Sequence, residues 1–236
     1  MNPEEPLIEH RQPLKLLPVI AIDGPAAAGK STVARGAAAR LGLQFFDTGL
    51  LYRAVTLVAL RRGIPLDCEQ CLADLVHGLK LNLDRSGSML VDGRDVTGDL
   101  RTPEVDSAVS LVSAQPAVRN ALFTQQRRIA EQTPVVMVGR DITTVVVPDA
   151  AVRIFLNASA DERARRRHRE FQAKGSELSF DDVLSDTKER DRKDSTRKAA
   201  PLRAGPDVDI IETDGKSVEE VIDTVVRLVH YRIPGP

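Results

Sequence analysis

Aromatic residues are scarce in this chain: no tryptophan, two tyrosines and six phenylalanines among 236 residues. A core built without them is aliphatic, and a surface without them lacks the rings on which single-stranded nucleic acid stacks. An excess of either charge is missing as well, since 33 basic residues stand against 34 acidic ones. A net charge of −1 gives no bulk attraction to nucleic acid. No run approaches the roughly 18 apolar residues of a membrane span. Neither nucleic acid nor membrane is therefore expected as a partner. The first residues carry Glu4, Glu5 and Glu9, with four prolines by Pro18, and lack the basic start and apolar stretch of a secretion signal. Residues 1–17 are expected as a disordered arm, and the protein as a cytoplasmic monomer.

Cysteine is nearly absent too. Cys68 and Cys71 form a lone C-x-x-C, without a second pair, and His10, His77, His168 and His230 are scattered along the chain. A redox or zinc reading would need more than this. Two reduced structural thiols are expected.

What is present is concentrated in residues 19–31, VIAIDGPAAAGKS. The first four residues are β-branched and small, as in a strand buried on both faces. Gly24, Pro25, Ala26, Ala27, Ala28, Gly29, Lys30 and Ser31 then match G-x-x-x-x-G-K-[ST], and an alanine-rich helix pattern follows from Thr32. Small residues let backbone N–H groups converge on phosphate oxygens, and the helix N-terminus adds partial positive charge. Lys30 can reach the outer phosphates, and the Ser31 hydroxyl can ligate Mg²⁺. The expected ligand is a nucleoside triphosphate.

Beyond this loop, strands and helices alternate. Residues 44–46 read as a strand, and 50–62 as a helix closed by Gly63. Arg53, in that helix, either points back to the phosphate loop or is a solvated charge. Residues 64–101 break the pattern, with a short helix over 69–78 and antiparallel strands near 80–84, 89–91 and 95–97. Helices are expected over 104–114 and 116–131, with Pro116 opening the second. An apolar strand over 135–138 ends in Gly139-Arg140-Asp141, and ligands of open parallel sheets bind at such carboxyl ends. Strands at 152–156 and 210–211 follow, with a capping box at Ser217 and Glu220 before a last helix.

Residues 160–203 are crowded with arginine. Two helices are expected there, over 160–174 and from 180 to about 193. If the second continues, Arg190, Asp194 and Arg197 share one face. Such a charge run is either a solvated face or a mobile lid that neutralises phosphate charge and excludes water. The pairing with a phosphate loop favours the lid. The expected fold is α/β: a doubly wound, parallel, five-stranded sheet of the P-loop NTPase type, with an insertion at about 64–101 and a lid at about 160–203, all within one domain over 18–236. Two further absences narrow the reaction. There is no N-K-x-D guanine-reading motif, and no apolar strand ends in Asp-Asp or Asp-Glu. A small-molecule kinase fits best.

From about Pro18 to the last helix the chain resembles bacterial cytidylate kinases, a family of nucleoside monophosphate kinases. The segments that carry the likeness are IDGPAAAGKST, FFDTGLLYRAV, TGDLRTPEV, SLVSAQPAVRNAL, GRDITTVVVPDA and KERDRKDSTRKAAPL. The resemblance implies transfer of the ATP γ-phosphoryl group to CMP or dCMP, with Mg²⁺. It implies that residues 24–32 hold ATP, and that Lys30, Arg140, Arg190 and Arg197 are catalytic. Thr48, Tyr52, Arg53, Arg140 and Arg190 would bind the acceptor, Asp194, oriented by Arg190, would bind its ribose, and Arg197 would bridge the donor and acceptor phosphates. Ser110, Arg119 and Asp141 would read cytosine. Three positions depart from the family pattern: Ala27 and Thr143 replace usual glycines, and Val138 replaces an acidic residue, removing a possible carboxylate near the acceptor. Two alternatives remain. One is a kinase for another nucleotide or for a metabolite such as shikimate or gluconate. The other is a non-catalytic ATP-binding module.

Overall fold

Five parallel strands in the order β2-β6-β1-β7-β8 form the central sheet: β1 (Val19–Asp23), β2 (Gln44–Asp47), β6 (Val135–Val138), β7 (Val152–Asn157) and β8 (Asp209–Glu212). The structure, a computed structural model, describes residues 18–84, 87–173, 175–197 and 199–233. The expectation for residues 1–17 lies outside the described residues. Register pairs Val19 with Val135 and Ile20 with Val152 on the two sides of β1.

Alternation along β1 divides the core into two layers. Val19 and Ala21 face a cluster with Leu51, Val55 and Leu122, from α2 (Gly49–Arg62) and α5 (Pro116–Gln132). Ile20 and Ile22 face Val33, Ala37 and Val225, from α1 (Lys30–Leu41) and α8 (Val218–Arg232). Both faces of β1 are therefore dry, which explains the unbroken apolar run of residues 19–22 that precedes Asp23. From β1 the chain runs one way to β2; after β6 it runs the other way to β7 and β8. Loops leaving the carboxyl ends of these strands diverge there and open a crevice.

The expected insertion holds α3 (Glu69–Gly78) and a three-stranded antiparallel sheet of β3 (Leu81–Leu83), β4 (Met89–Val91) and β5 (Arg94–Asp95). The third strand starts one residue earlier and ends two residues earlier than expected. Asp92 and Gly93, at φ 49° and 82°, make a two-residue hairpin that pairs Val91 with Arg94. The chain then coils into a short turn over Thr97–Arg101 and enters α4 (Pro103–Ala114).

The cysteine expectation is corrected. Cys68 and Cys71 form a disulfide, with Cα atoms 5.3 Å apart. Cys68 caps α3 and Cys71 lies one turn inside it, which brings the two sulfurs to one side of the helix end.

The arginine-rich segment forms α6 (Ala160–Ala173) and α7 (Phe180–Thr196), which pack on each other. Ser179 and Asp182 close a capping box on α7. The helix stops at Thr196, and Arg197 takes an extended conformation at φ −61° and ψ 141°. The helix runs past the expected end near residue 193 but stops short of Arg197, so the condition for a face shared with Arg190 and Asp194 is not met. Among the described residues no helix is long and apolar enough to cross a membrane.

Candidate active site

A cleft of about 770 Å³ opens at the carboxyl ends of β1, β2 and β6. Its floor is the loop between β1 and α1. Gly24, at φ +150°, starts it; a Cβ there would lie 2.1 Å from the Leu156 carbonyl oxygen of β7. Glycine is thus required both by conformation and by the approach of the neighbouring strand. Ala26, Ala27, Ala28, Gly29, Lys30, Ser31 and Thr32 line the cleft. Gly24 and Pro25 support them from behind, and the Pro25 carbonyl accepts from the Lys30 Nζ at 2.6 Å. Burial, reinforced by Arg140, lowers the Lys30 ammonium well below its usual range. Ala27 has φ 59°, a left-handed conformation costly for a side chain with a Cβ.

The second wall comes from α2, α4 and α5. Arg53 is not a solvated charge: it pairs with Asp106 at 2.7 Å, donates to the Leu100 carbonyl at 2.8 Å, and still borders the cleft. Thr48 donates through its hydroxyl to the Val138 carbonyl at 2.9 Å. Only that carbonyl engages the site, for the Val138 side chain is buried among Ile22, Val33 and Val136. The position expected to cost the acceptor a carboxylate is a core position here. Tyr52 is buried, with its ring beneath the Arg119 guanidinium (5.3 Å) and its hydroxyl accepting from Gln126 at 3.4 Å. Arg119 in turn donates to the Ser113 carbonyl at 2.8 Å and to the Asp141 carboxylate at 2.5 Å. Ser110 lies at the same edge of the cleft.

The third wall comes from α7 and the residue beyond it. Arg140, and not the expected Arg190, donates to Asp194 at 2.9 Å, joining the end of β6 to α7. Burial alone would raise the Asp194 carboxyl, but Arg140, Arg190 and Arg197 together hold it below its usual range. Arg197 lies 4.0 Å from Asp141, too long for a hydrogen bond, and donates through Nε to the Ala200 carbonyl. Burial and the nearby Arg140 bring the Arg190 guanidinium down to about 10. Arg190 Nε and Arg197 Nη2 are buried without a hydrogen-bond partner. Buried donors of this kind are expensive to leave unmatched. Both belong to guanidinium groups that border the cleft, where an anionic ligand would satisfy them.

All the residues expected at the site except Gly24 and Pro25 therefore border one cleft. Several others were not anticipated. Arg163, hidden in a run of arginines, is buried; it holds both oxygens of Asp191 at 2.9 and 2.5 Å, and reaches the Ala158 and Ala26 carbonyls. It thereby ties α7 to the phosphate loop. Arg166 grips Thr213 at the mouth of the cleft. Asp47 accepts from Ser31 at 2.8 Å. Asp23 is buried under the turn after Asp141, and burial with Asp141 pushes its carboxyl up to about 6. Spacing in the sequence offered no signal for Arg163 or Asp191; the place of Asp47 at a strand end was the one visible clue.

Known proteins place this architecture in context. The solved structure of an uncharacterized protein from Eubacterium ventriosum shares the fold, with a TM-score of 0.50 at 14% identity, covering 89% of this chain and 96% of that one. The cytidylate kinase of Carboxydothermus hydrogenoformans is 46% identical over 213 residues, covering 89% of this chain and 96% of its own length. That of Geobacillus kaustophilus is 48% identical over 217 residues, covering 91% and 97%. The bifunctional pantoate ligase/cytidylate kinase of Trichormus variabilis is 47% identical over 223 residues, which are 92% of this chain but 42% of that protein. The chain thus spans about two fifths of the length of such bifunctional relatives. The family described as Cytidylate kinase matches residues 20–231, almost the whole described fold. This chain belongs to the cytidylate kinase family.

Proposed function

We propose that the protein transfers the γ-phosphoryl group of ATP to CMP or dCMP. The observation that carries this reading is the cluster of guanidinium groups from Arg140, Arg190 and Arg197 around the same cleft as Lys30 and the phosphate loop. The donor triphosphate lies along residues 24–32. The acceptor phosphate lies among Arg53, Arg140 and Arg190, and Arg197 spans both phosphates. Asp194 holds the ribose and is oriented by Arg140.

Cytosine presents an amino donor beside two acceptors. The Asp141 carboxylate takes the amino group, while Ser110 and Arg119 donate to the acceptors. Uracil places a carbonyl oxygen against the same carboxylate.

Mg²⁺ fits the donor end. The Ser31 hydroxyl would ligate it, with Asp47 accepting behind, and among the described residues no cage of three or more His, Cys, Asp or Glu side chains competes. Such a site, with one or two protein oxygens, is the usual style of this ion, which shares its shell with phosphates. When bound, it would neutralise negative charge on the donor's phosphates.

The chain's own work is alignment and neutralisation. A phosphate monoester is already anionic at neutral pH, so no residue needs to act as a base. Helices α6 and α7 act as a lid, held in phase with the phosphate loop by Arg163, and exclude water from the transfer. The test is an acceptor panel of CMP, dCMP, UMP, AMP, shikimate and gluconate in an assay of ADP formation. CMP and dCMP are expected to give the highest kcat/KM. Transfer to shikimate or gluconate alone, or to no acceptor, would overturn the reading.

A further inference from the structure

Asp23 ends β1, and its carboxylate is fully buried. Three donors converge on it, all from the segment that follows Arg140 and Asp141. The Ile142 amide donates to one oxygen at 2.9 Å; the Thr143 amide and hydroxyl both donate to the other at 2.7 Å. The amides of Val145 and Val146 return to the Asp141 carbonyl at 2.8 and 3.1 Å, closing a wide turn. One carboxylate therefore joins the strand entering the phosphate loop to the turn that presents Arg140 and Asp141. Two of its three donors are backbone amides, available whatever the side chain. The third exists only because residue 143 carries a hydroxyl.

We propose that Thr143 is a positioning residue: by donating to Asp23, its hydroxyl locks the Arg140–Asp141 turn against the strand that leads into the phosphate loop. The charged groups acting on Asp23 are Asp141, from the same turn, and Lys30, from α1. Burial and Asp141 favour the protonated carboxyl, and the three donors favour the anion, leaving it to titrate near 6. A protonated Asp23 must turn its own O–H toward one of these donors and loses that bond, which loosens the turn. Thr143→Val keeps the shape and removes the donor. Asp23 then holds its proton to higher pH, by roughly one pH unit.

The sign of the effect on folding follows. Asp23 binds its proton more tightly folded than unfolded, so its contribution to stability is full below the unfolded value of 3.8 and is lost as pH rises through about 6. In Thr143→Val that loss extends to higher pH and grows.

The test is thermal and urea unfolding of the full chain as wild type, Thr143→Val and Thr143→Ser, from pH 5 to pH 8. The valine variant's deficit is expected to grow by about tenfold in the unfolding constant between pH 5 and 8. Serine restores wild-type behaviour. Should the valine variant fail to fold, Thr143→Ala gives the same comparison, because a cavity costs the same at every pH. A deficit equal at both pH values, or a serine variant that behaves like valine, overturns the proposal.

Only the second readout rests on the kinase reading. The acid limb of kcat/KM for CMP is expected to move up by about one pH unit in Thr143→Val and not in Thr143→Ser. An unmoved acid limb beside a pH-dependent unfolding deficit contradicts the positioning role. If no acceptor is turned over, the unfolding series still decides whether the lock exists.

Discussion

Arg140 and Asp194 are joined by a hydrogen bond from guanidinium Nε to carboxylate Oδ2 at 2.9 Å, across 54 residues of sequence. The first lies just past the end of β6 and the second sits on α7, so the contact fixes the third wall of the cleft to the central sheet. Asp194→Ala removes the partner and leaves Arg140 free to turn away from the acceptor. We expect a loss of roughly thirtyfold in kcat/KM for CMP, about 2 kcal/mol of transition-state stabilisation. Steady-state kinetics with saturating ATP measures it; a change below threefold would contradict the assigned contact.

Base reading is expected to rest on Asp141. It lies 2.5 Å from Arg119 and 4.0 Å from Arg197, so its charge is held in place at the cleft. A site built to hydrogen-bond one base can reject another by on the order of 10⁴. Asp141→Asn supplies an amide that can also donate, and the CMP/UMP ratio of kcat/KM should fall by at least about tenfold. An unchanged ratio would remove Asp141 from base reading.

Arg163 and Asp191 should act as a unit. The arginine is buried, pairs with both carboxylate oxygens and also reaches the phosphate loop. Each single alanine variant is expected to lose at least tenfold in kcat/KM, and the double variant about as much as either single. In a double-mutant cycle the coupling should be at least about 1 kcal/mol. Additive losses would mean that the pair does not join α7 to the loop.

Ala27 is a local strain point. Its φ of 59° costs a residue with a Cβ roughly 1–2 kcal/mol, while glycine returns part of the gain through the unfolded chain. Ala27→Gly should raise Tm by about 1–2 °C. A lower Tm would show that the loop gains more from the alanine methyl than it loses to strain.

Much of the fold was legible because its signals are local. The dry strand at residues 19–22, the glycines of the phosphate loop, and the capping box at Ser217 and Glu220 each follow from neighbours in sequence. The site was legible as a set of charged residues, since the motifs name Lys30, Arg140, Asp194 and Arg197. What stayed hidden depends on contacts between distant segments. Asp23 looks like an ordinary strand end until the Thr143 hydroxyl reaches it from 120 positions away. Arg163 is one of five arginines between residues 163 and 169, and only the fold separates the buried one from neighbours that are partly or fully exposed. The place of Arg197 beyond α7 was hidden for a similar reason. Leu202 turns back to donate to the Asp194 carbonyl at 2.8 Å, so the chain reverses just past the helix.

The phosphate loop and the arginines of the third wall are held to act on one continuous row of phosphates. Calorimetric titration with cytidine and adenosine joined through five phosphates measures this most directly. We expect one molecule per chain, bound at least roughly a hundredfold more tightly than ATP or CMP alone, with that advantage lost in Arg197→Ala. Binding no tighter than ATP, with CMP still able to bind beside it, would contradict it.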